Sequence, residues 1–258
     1  MIELHIDGRV AEVVLNAPEK LNALDSIALE ELRAAIEHAS TLAEAGEIRA
    51  LLLRAEGRAF CAGRDLGEVV TDADDAEAFL DQKIVPAIRA IMEFPAPSFA
   101  AGQGAALGAG LGILSAADVV YVAEDAKIGS PFAKLAMVLD SGMTWHFVER
   151  LGVHRTLDLM YTADLISGAE AVRAGLFSRA FPADELLERT RGIVARVAEG
   201  PRGALADNKR VVTAIRDQRM NYWEAFELEN KLQGAIAETE DYQEGIAAFQ
   251  EKRPPKFR

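Results

Sequence analysis

The stretch Ala50-Leu-Leu-Leu-Arg-Ala-Glu-Gly-Arg-Ala-Phe-Cys-Ala-Gly-Arg-Asp-Leu66 decides the fold, because it leads from a strand through a tight loop into a helix. Its first four residues form an apolar run that predicts a buried strand, and Gly57 ends that run. Asp65 is a suitable N-cap for a short helix through Val70, and we expect Gly63 to adopt a positive φ. Such a junction directs backbone N–H groups toward a ligand. Packing of small residues explains the loop equally well when it is taken alone.

A second loop, Ala101-Gly-Gln-Gly-Ala-Ala-Leu-Gly-Ala-Gly-Leu-Gly-Ile113, follows the apolar run 97–101. A dinucleotide-binding turn requires Gly-x-Gly-x-x-Gly, but Leu107 stands at the third glycine position, so the spacing argues against NAD. Gly108-Ala-Gly110 instead opens an apolar helix predicted over 109–117. Unpaired N–H groups and the positive end of the helix dipole gather at such a start. The second loop therefore predicts a helix terminus that can bind an anion.

Strands and helices alternate outward from these loops. The pattern predicts a hairpin over 2–7 and 10–15, strands near 50–54, 97–101 and 118–123, and helices over 26–39, 76–92 and 109–117. From about Ala183 onward it predicts only helices, with breaks at Gly200-Pro201, Asn221 and Thr239. The alternation indicates an α/β fold that ends in a helical region.

The composition agrees with a globular protein. A chain of 258 residues, half of them hydrophobic, can bury a large core. No apolar run approaches the roughly 20 residues of a membrane span, and Met1–Asp7 lacks the features of a signal peptide, so we expect a cytoplasmic location. The single cysteine, Cys61, excludes an internal disulfide and a multi-cysteine metal site. His5, His38 and His154 show no ligand spacing, so no metal is expected.

The net charge of −13 disfavours nucleic acid as a partner, because its phosphates carry the same sign. Basic residues are concentrated at the C-terminus and beside the two loops, where they could face an anionic ligand. They are Lys252, Arg253, Lys256 and Arg258 at the terminus, and Lys20, Arg58 and Arg64 beside the loops. A frayed, solvated terminus is the alternative explanation for the first group.

Together the two loops resemble those of the crotonase (enoyl-CoA hydratase/isomerase) superfamily, and the similarity extends over residues 1–258. Further segments that resemble those of the family are Asn16–Leu24, Ala117-Asp118, Leu165–Phe177 and Glu244–Phe257. The resemblance implies an α/β fold, a crotonase-like ββα superhelix with a C-terminal helical trimerisation region. It implies a core with the CoA-thioester site over residues 1–195 and a helical oligomerisation region over 196–258. The expected partners are an acyl-CoA substrate and further copies of the chain, in a homotrimer or a dimer of trimers, without a separate cofactor.

The chemistry that the resemblance implies is stabilisation of a thioester enolate by two backbone N–H groups, those of Arg64 and Ala109. The alternative is that these groups only cap helices. The residues implied to contact the acyl-CoA surround both loops and include two in the C-terminal region. They are Lys20, Ala23, Ala62, Gly63, Arg64, Asp65, Leu66, Gly108, Phe132, Phe249 and Lys252.

The sequence departs from hydratases at the positions of their two water-orienting glutamates, which correspond to Gly112 and Phe132. Neither residue can act as a base. Hydration needs water activated on one side and a proton delivered on the other, so we do not expect ordinary hydratase activity.

One acidic residue stands at a suggestive position, Asp140 in Ala136-Met-Val-Leu-Asp-Ser-Gly-Met-Thr-Trp145. By resemblance it corresponds to the base of dienoyl-CoA isomerases and of ring-epoxide isomerases of phenylacetate catabolism, and to the nucleophile of 4-chlorobenzoyl-CoA dehalogenase. Asp-x-Gly-x-Thr-Trp looks most like the phenylacetate enzymes. Phe132, Met137, Leu139, Met143 and Trp145 lie nearby in sequence, and such apolar surroundings would raise the pKa of the carboxyl group. A structural role as helix N-cap is the competing explanation.

The sequence therefore predicts an acyl-CoA isomerase in which Asp140 moves a proton across a bound enolate. The alternatives are a hydratase, hydrolase or dehalogenase with another base, and a catalytically silent acyl-CoA-binding protein. Thr71–Ile91 is expected to shape the acyl pocket, with a mobile polar first part over 71–77. Cys61 and His146 are interpreted as interior residues rather than as catalytic groups.

Overall fold

The computed structural model describes residues 1–69 and 75–258. The predicted helix end at Val70 and the start of the predicted pocket segment, 71–74, lie outside the described residues. Among those described, the strands are β1 (Ile2–Asp7), β2 (Val10–Leu15), β3 (Ala50–Ala55), β4 (Ser98–Gly102), β5 (Ala105–Leu107), β6 (Val119–Ala123), β7 (Lys127–Gly129), β8 (Ile166–Ser167) and β9 (Arg179–Phe181).

The helices cover the sheets and form the C-terminal region. They are α1 (Ser26–Glu44), α2 (Ala76–Phe79), α3 (Val85–Met92), α4 (Ala109–Ser115), α5 (Met143–Leu151), α6 (Val153–Thr162), α7 (Gly168–Arg173), α8 (Leu186–Ala198), α9 (Arg202–Gln218), α10 (Tyr222–Ala237) and α11 (Glu240–Glu251). A π-helical turn, Leu80–Ile84, joins α2 to α3.

The main sheet has the strand order β1-β2-β3-β4-β6-β9. The first two strands form an antiparallel hairpin around Gly8, and each later neighbour pairs in parallel. Every residue of β3 is buried, as expected of a parallel strand covered on both faces. A second, three-stranded sheet, β5-β7-β8, stands beside the first. Because β5 follows β4 directly, the second predicted loop passes from one sheet to the other.

Helix α8 fastens the helical region to the main sheet. It contacts β2, β3, β4 and β6. Its Arg191 guanidinium donates hydrogen bonds of 2.6 and 2.7 Å to the buried Glu12 carboxylate, which also accepts one of 2.8 Å from Arg54. The helix crosses the predicted division between residues 195 and 196, and that division stays a prediction.

The structure confirms the predicted hairpin, the three longer parallel strands and the helical C-terminal region. The breaks at Pro201, Asn221 and Thr239 are helix starts, and the side chains of the last two cap α10 and α11. Strands β5, β7, β8 and β9 were not predicted, because two or three residues are too few for a periodic pattern. No helix in the described ranges, 1–69 and 75–258, is long and apolar enough to cross a membrane.

Candidate active site

A cavity of about 490 Å³ lies between the loop that follows β3 and the loop that joins β5 to α4. Its lining is mostly apolar and comes from both loops, from the segment 76–84 and from the segment 131–140. The residues are Ala62, Gly63, Arg64, Leu66, Ala76, Phe79, Leu80, Ile84, Leu107, Gly108, Ala109, Pro131, Phe132, Leu135, Met137, Val138, Leu139 and Asp140. Among these described residues, Asp140 carries the one carboxyl group. The cavity therefore combines two backbone loops, an apolar wall and a single acid.

Backbone hydrogen bonds hold the first loop against the segment 21–24. The Ala62 N–H donates to the Leu21 carbonyl at 3.0 Å, and the Leu24 N–H donates to the Gly63 carbonyl at 2.8 Å. The Asp65 N–H returns a bond of 2.8 Å to the Leu24 carbonyl. The N–H groups of this loop are thus fixed by main-chain contacts on both sides of Arg64.

Asn22 lies behind the same loop and is fully buried. Its side-chain oxygen accepts from the Ala17 N–H at 2.8 Å, and its amide donates to the carbonyls of Glu56 and Ala59 at 3.0 and 2.9 Å. Its own carbonyl accepts from Cys61 Sγ at 3.1 Å. Sequence reasoning missed this anchor, although an asparagine tolerates the left-handed backbone seen here, with φ of 56°.

Asp65 caps the turn that follows the first loop, as predicted. Its carboxylate accepts from the Gly67 N–H at 3.0 Å, at the start of a 3₁₀ turn over 66–68. Lys20 Nζ lies 2.9 Å from the Asp25 carboxylate and 3.4 Å from that of Asp65. Both carboxylates cap helical starts, so the ammonium group joins α1 to the first loop. Lys20, Ala23 and Asp65 do not line the cavity, and their contact with an acyl-CoA stays a prediction.

The second loop ends at the buried start of α4. Gly108 is the N-cap residue, with φ of 53°, and Ala109 is the first residue of the helix. The N–H of a first helical residue has no acceptor within its own helix. It also lies at the positive end of the helix dipole. The Ala109 N–H is therefore suited to an anionic oxygen in the cavity.

The two loops are bonded directly to each other. The Cys61 N–H donates to the Ala105 carbonyl, and the Leu107 N–H donates to the Cys61 carbonyl, both at 3.0 Å. A methyl group on Gly63 would lie 2.9 Å from the Leu107 carbonyl oxygen and 3.6 Å from the Ala109 nitrogen. Gly63 has φ of 102°, which confirms the predicted positive φ. The residue next to it, Arg64, and Ala109 thus border the same part of the cavity.

Asp140 does not cap a helix, so that alternative from the sequence was wrong. Helix α5 begins at Met143, and its N-cap is Gly142 in a left-handed conformation, with φ of 77°. The backbone carbonyl of Asp140, rather than its carboxylate, accepts from the Met143 N–H at 3.0 Å. The carboxylate accepts from Ser141 Oγ at 2.7 Å. The side chain is left to line the cavity.

The environment of Asp140 raises the pKa of its carboxyl group, and burial is the largest cause. The hydrogen bond from Ser141 and the positive charge of Arg64 act in the opposite direction. The predicted apolar surroundings are confirmed for Phe132, Met137 and Leu139, which share the cavity wall. A carboxyl group tuned in this way is a stronger base than an exposed one.

Of the two positions implied for hydratase glutamates, position 112 has no room for such a side chain and position 132 holds an aromatic ring. A methyl group on Gly112 would lie 2.6 Å from both the Cβ and the carbonyl oxygen of Ser141. The turn over 140–142 therefore fills the space that a longer side chain would need. The Phe132 ring lies 3.0 Å from the position of a methyl group on Gly108, so the ring covers the start of α4.

The segment 76–84 forms another wall of the cavity, as predicted for the described part of 71–91. The Arg64 guanidinium carbon lies 3.9 Å from the centre of the Phe79 ring, which is within the range of a cation–π interaction. Leu80 and Ile84, on the π-helical turn, complete this wall. The first loop and the apolar wall are thus connected through one side-chain contact.

The remaining candidates lie elsewhere. Burial raises the pKa of the Cys61 thiol to about 12, so the thiol stays protonated at neutral pH. Burial and the charge of Arg150 lower the pKa of His146 to about 4, and the ring does not line the cavity. Phe249 and Lys252, on and just after α11, do not line it either. Their contact with an acyl-CoA stays a prediction.

The basic C-terminus is folded back rather than frayed. The Arg253 guanidinium donates to both oxygens of the Glu244 carboxylate at 2.6 and 2.8 Å. The same carboxylate accepts from the Lys256 N–H at 2.8 Å, and the Arg258 N–H donates to Asp241. The fraying assumed by that alternative was therefore wrong, whereas Lys252, Lys256 and Arg258 are indeed exposed to solvent.

Known proteins match the chain over almost its full length. A family model described as enoyl-CoA hydratase/isomerase matches residues 5–258. A protein named "probable enoyl-CoA hydratase" from Rhodobacter capsulatus is 36% identical over 99% of this chain and 97% of its own. The 1,2-epoxyphenylacetyl-CoA isomerase of Escherichia coli K12 is 28% identical over 98% of this chain and 96% of its own.

A crystal structure of enoyl-CoA hydratase from Bacillus anthracis superposes on this chain with a TM-score of 0.89. The two are 27% identical, and the match covers 99% of this chain and 98% of that one. The predicted crotonase-like α/β fold with C-terminal helices is thereby confirmed. The chain belongs to the enoyl-CoA hydratase/isomerase family.

Proposed function

We propose that this chain is an isomerase of acyl-CoA thioesters and that Asp140 is its proton carrier. One observation carries the proposal. A methyl group on Gly112 would lie 2.6 Å from Ser141, so the turn that presents Asp140 fills the space of a glutamate at that position. A single carboxyl group can take a proton from one carbon and return it to another, whereas adding water requires a second group.

The first step is removal of a proton from the carbon chain of the thioester. Asp140 takes the proton, and the electron pair of the broken C–H bond delocalises onto the thioester oxygen. The N–H groups of Arg64 and Ala109 donate hydrogen bonds to that oxygen and stabilise its negative charge. Removing one such donor typically costs about 10²–10³ in rate.

The second step returns a proton from the Asp140 carboxyl group, which can exchange with solvent while the enolate is bound, to another carbon of the conjugated system. The double bond moves, or a strained ring opens, and the neutral thioester is restored. No atom is gained or lost overall. Phe132 supports this outcome because its ring, beside the start of α4, offers no acid or base that could activate water there.

Assembly and CoA binding belong to the same proposal. We place the CoA portion beside Lys20, Ala23 and Asp65, and we assign Phe249 and Lys252 to a second copy of the chain in a homotrimer or dimer of trimers. Exposed apolar side chains of the helical region support such packing, Trp223 and Phe249 being 69% and 83% exposed.

A hydratase is the second candidate, because the relative from Rhodobacter capsulatus carries that name. Liquid chromatography, which resolves double-bond isomers, coupled to mass spectrometry, which detects added water, separates the two. Incubation with a 3-enoyl-CoA and, separately, with a 2-enoyl-CoA should give products of unchanged mass with the double bond moved. Addition of one water to the 2-enoyl-CoA would favour the hydratase. Tight binding without any product would favour a silent acyl-CoA-binding protein.

A further inference from the structure

Ser141 adopts a backbone conformation that is uncommon for its residue type. Its φ is 54°, in the left-handed region, and the next residue, Gly142, is left-handed as well. A residue other than glycine holds such a conformation only where its surroundings determine it strongly. The turn between the cavity wall and α5 therefore has a defined shape that its sequence alone does not favour.

The surroundings that determine this shape come from α4. The Cβ and carbonyl oxygen of Ser141 lie so close to Gly112 that a methyl group there would approach both to 2.6 Å. Every residue of α4 is buried, so the helix is a fixed support. The same helix supplies the Ala109 N–H at its start. Helix α4 thus fixes the position of Ser141 relative to the second loop of the cavity.

The hydroxyl group of Ser141 fixes the neighbouring carboxylate. Its Oγ lies 2.7 Å from Asp140 Oδ1, within the range of a strong O–H···O⁻ hydrogen bond. Among the described residues, Oδ2 of Asp140 accepts no hydrogen bond. Of the charged side chains that the structure describes, Arg64 is the one whose charge acts on this carboxyl group. One oxygen is thereby held and the other is left for proton transfer.

We propose that Ser141 is a positioning residue for Asp140, whose hydroxyl group orients the carboxylate from a left-handed turn seated on Gly112. The catalytic consequence rests on the proposed function, because it assumes that Asp140 moves the proton. The contact itself has a direct readout that does not require activity. A hydrogen bond to the charged form favours that form, so losing it raises the pH at which the group titrates.

The experiment compares Ser141→Ala with Ser141→Gly. Both variants remove the hydroxyl group, but only glycine is relaxed in the left-handed conformation. Ser40→Ala, in which the hydroxyl donor to the Ile36 carbonyl of α1 is lost, is the matched control. Infrared spectroscopy of protein labelled with ¹³C at its aspartate carboxyl groups follows the titration. Subtracting the spectrum of Asp140→Asn isolates the Asp140 signal.

We expect the titration midpoint of Asp140 to rise by about one pH unit in both Ser141 variants and to stay unchanged in Ser40→Ala. The acid limb of the isomerase pH profile should move with it. Unchanged midpoints, or a change in only one Ser141 variant, would overturn the proposal. If Asp140→Asn kept wild-type isomerase activity, the proposed function would be wrong, while the titration would still decide whether Ser141 holds the carboxylate.

Discussion

The two loops and the turn over 140–142 contribute to one cavity in different ways. The loops supply main-chain N–H groups, and main-chain hydrogen bonds fix them, such as those that join Cys61 to Ala105 and Leu107. The turn supplies one side-chain carboxylate. Its position depends on a bare glycine at 112 and on the Ser141 hydroxyl group. The first region is defined by backbone geometry and the second by individual side chains.

This difference separates the choice of substrate from the choice of reaction. In the proposed mechanism, a pair of backbone donors recognises the thioester oxygen and leaves the side chains around it free to vary. The reaction depends on which acid or base reaches the enolate. A protein can therefore keep the loops of this family and still carry out a different conversion. Variants that affect only one region should separate binding from chemistry.

The largest expected effect is in the turn. Asp140→Asn should lower the isomerase turnover number by about 10²–10⁴, because it removes the proposed proton carrier while keeping the shape of the side chain. Since the carboxylate does not cap α5, the variant should keep the native fold. Steady-state kinetics with a 3-enoyl-CoA, beside calorimetric binding of a saturated acyl-CoA, would check both points. Weakened binding equal to the loss in turnover would contradict the division of roles.

The next effect is in the first loop. Gly63→Ala should lower kcat/KM by about 10²–10³, because a methyl group would lie 2.9 Å from the Leu107 carbonyl oxygen and displace the donor beside it. Gly8→Ala is the matched control, since Gly8 also has positive φ, of 57°, but no atom lies within 4 Å of the added group. Both variants should melt at lower temperature. Equal specific activities would contradict the assignment of the loop.

A smaller effect is expected where the two regions meet. Gly112→Ala should displace Ser141 and lower turnover by about 10–100-fold with little change in acyl-CoA affinity, because small displacements of a catalytic group are costly. Gly234→Ala, on α10 with no atom within 4 Å of the added methyl, is the control and should be neutral or slightly stabilising. If Gly112→Ala had the same turnover number as Gly234→Ala, the turn would tolerate the displacement and this prediction would be wrong.

The smallest expected effect is on the pH dependence of the free energy of unfolding. Burial raises the pKa of Asp140 in the folded state, so the proton is bound more tightly in the folded than in the unfolded chain. The stability that this provides is complete below the unfolded pKa and is lost as pH rises through the folded pKa. Relative to wild type, Asp140→Asn should therefore gain stability over that range. Thermal denaturation of both proteins from acidic to neutral pH measures the difference, and an opposite trend would contradict a raised pKa.

The sequence was sufficient to predict the loops, because their geometry is encoded locally. Gly63 and Gly108 occupy the positive φ values that such turns require, and Asp65 caps the next turn. At the turn, the sequence favoured a site role for Asp140, which does line the cavity, but left a helix cap as a competing explanation. Asp140 was a plausible helix cap until the structure placed Gly142 in that position.

Ser141 could not be found from local patterns. The left-handed backbone conformation of Ser141 depends on contact with Gly112. The two residues are distant in sequence and meet only when α4 packs against the turn. Asn22 was missed for a related reason, since its three side-chain bonds reach segments before and after it. The short strands of the second sheet gave no periodic signal either. Long-range packing, rather than local propensity, determined each of these features.

The most direct test of the central claim is exchange of deuterium from solvent into a bound acyl-CoA. The wild-type protein, incubated in heavy water with a 3-enoyl-CoA or a saturated acyl-CoA, should introduce deuterium next to the thioester carbonyl and, in the isomerised 3-enoyl-CoA, at the γ-carbon. Asp140→Asn should bind the same thioester with similar affinity and introduce none. Exchange at the wild-type rate in Asp140→Asn, or tight binding without exchange in the wild-type protein, would contradict the account.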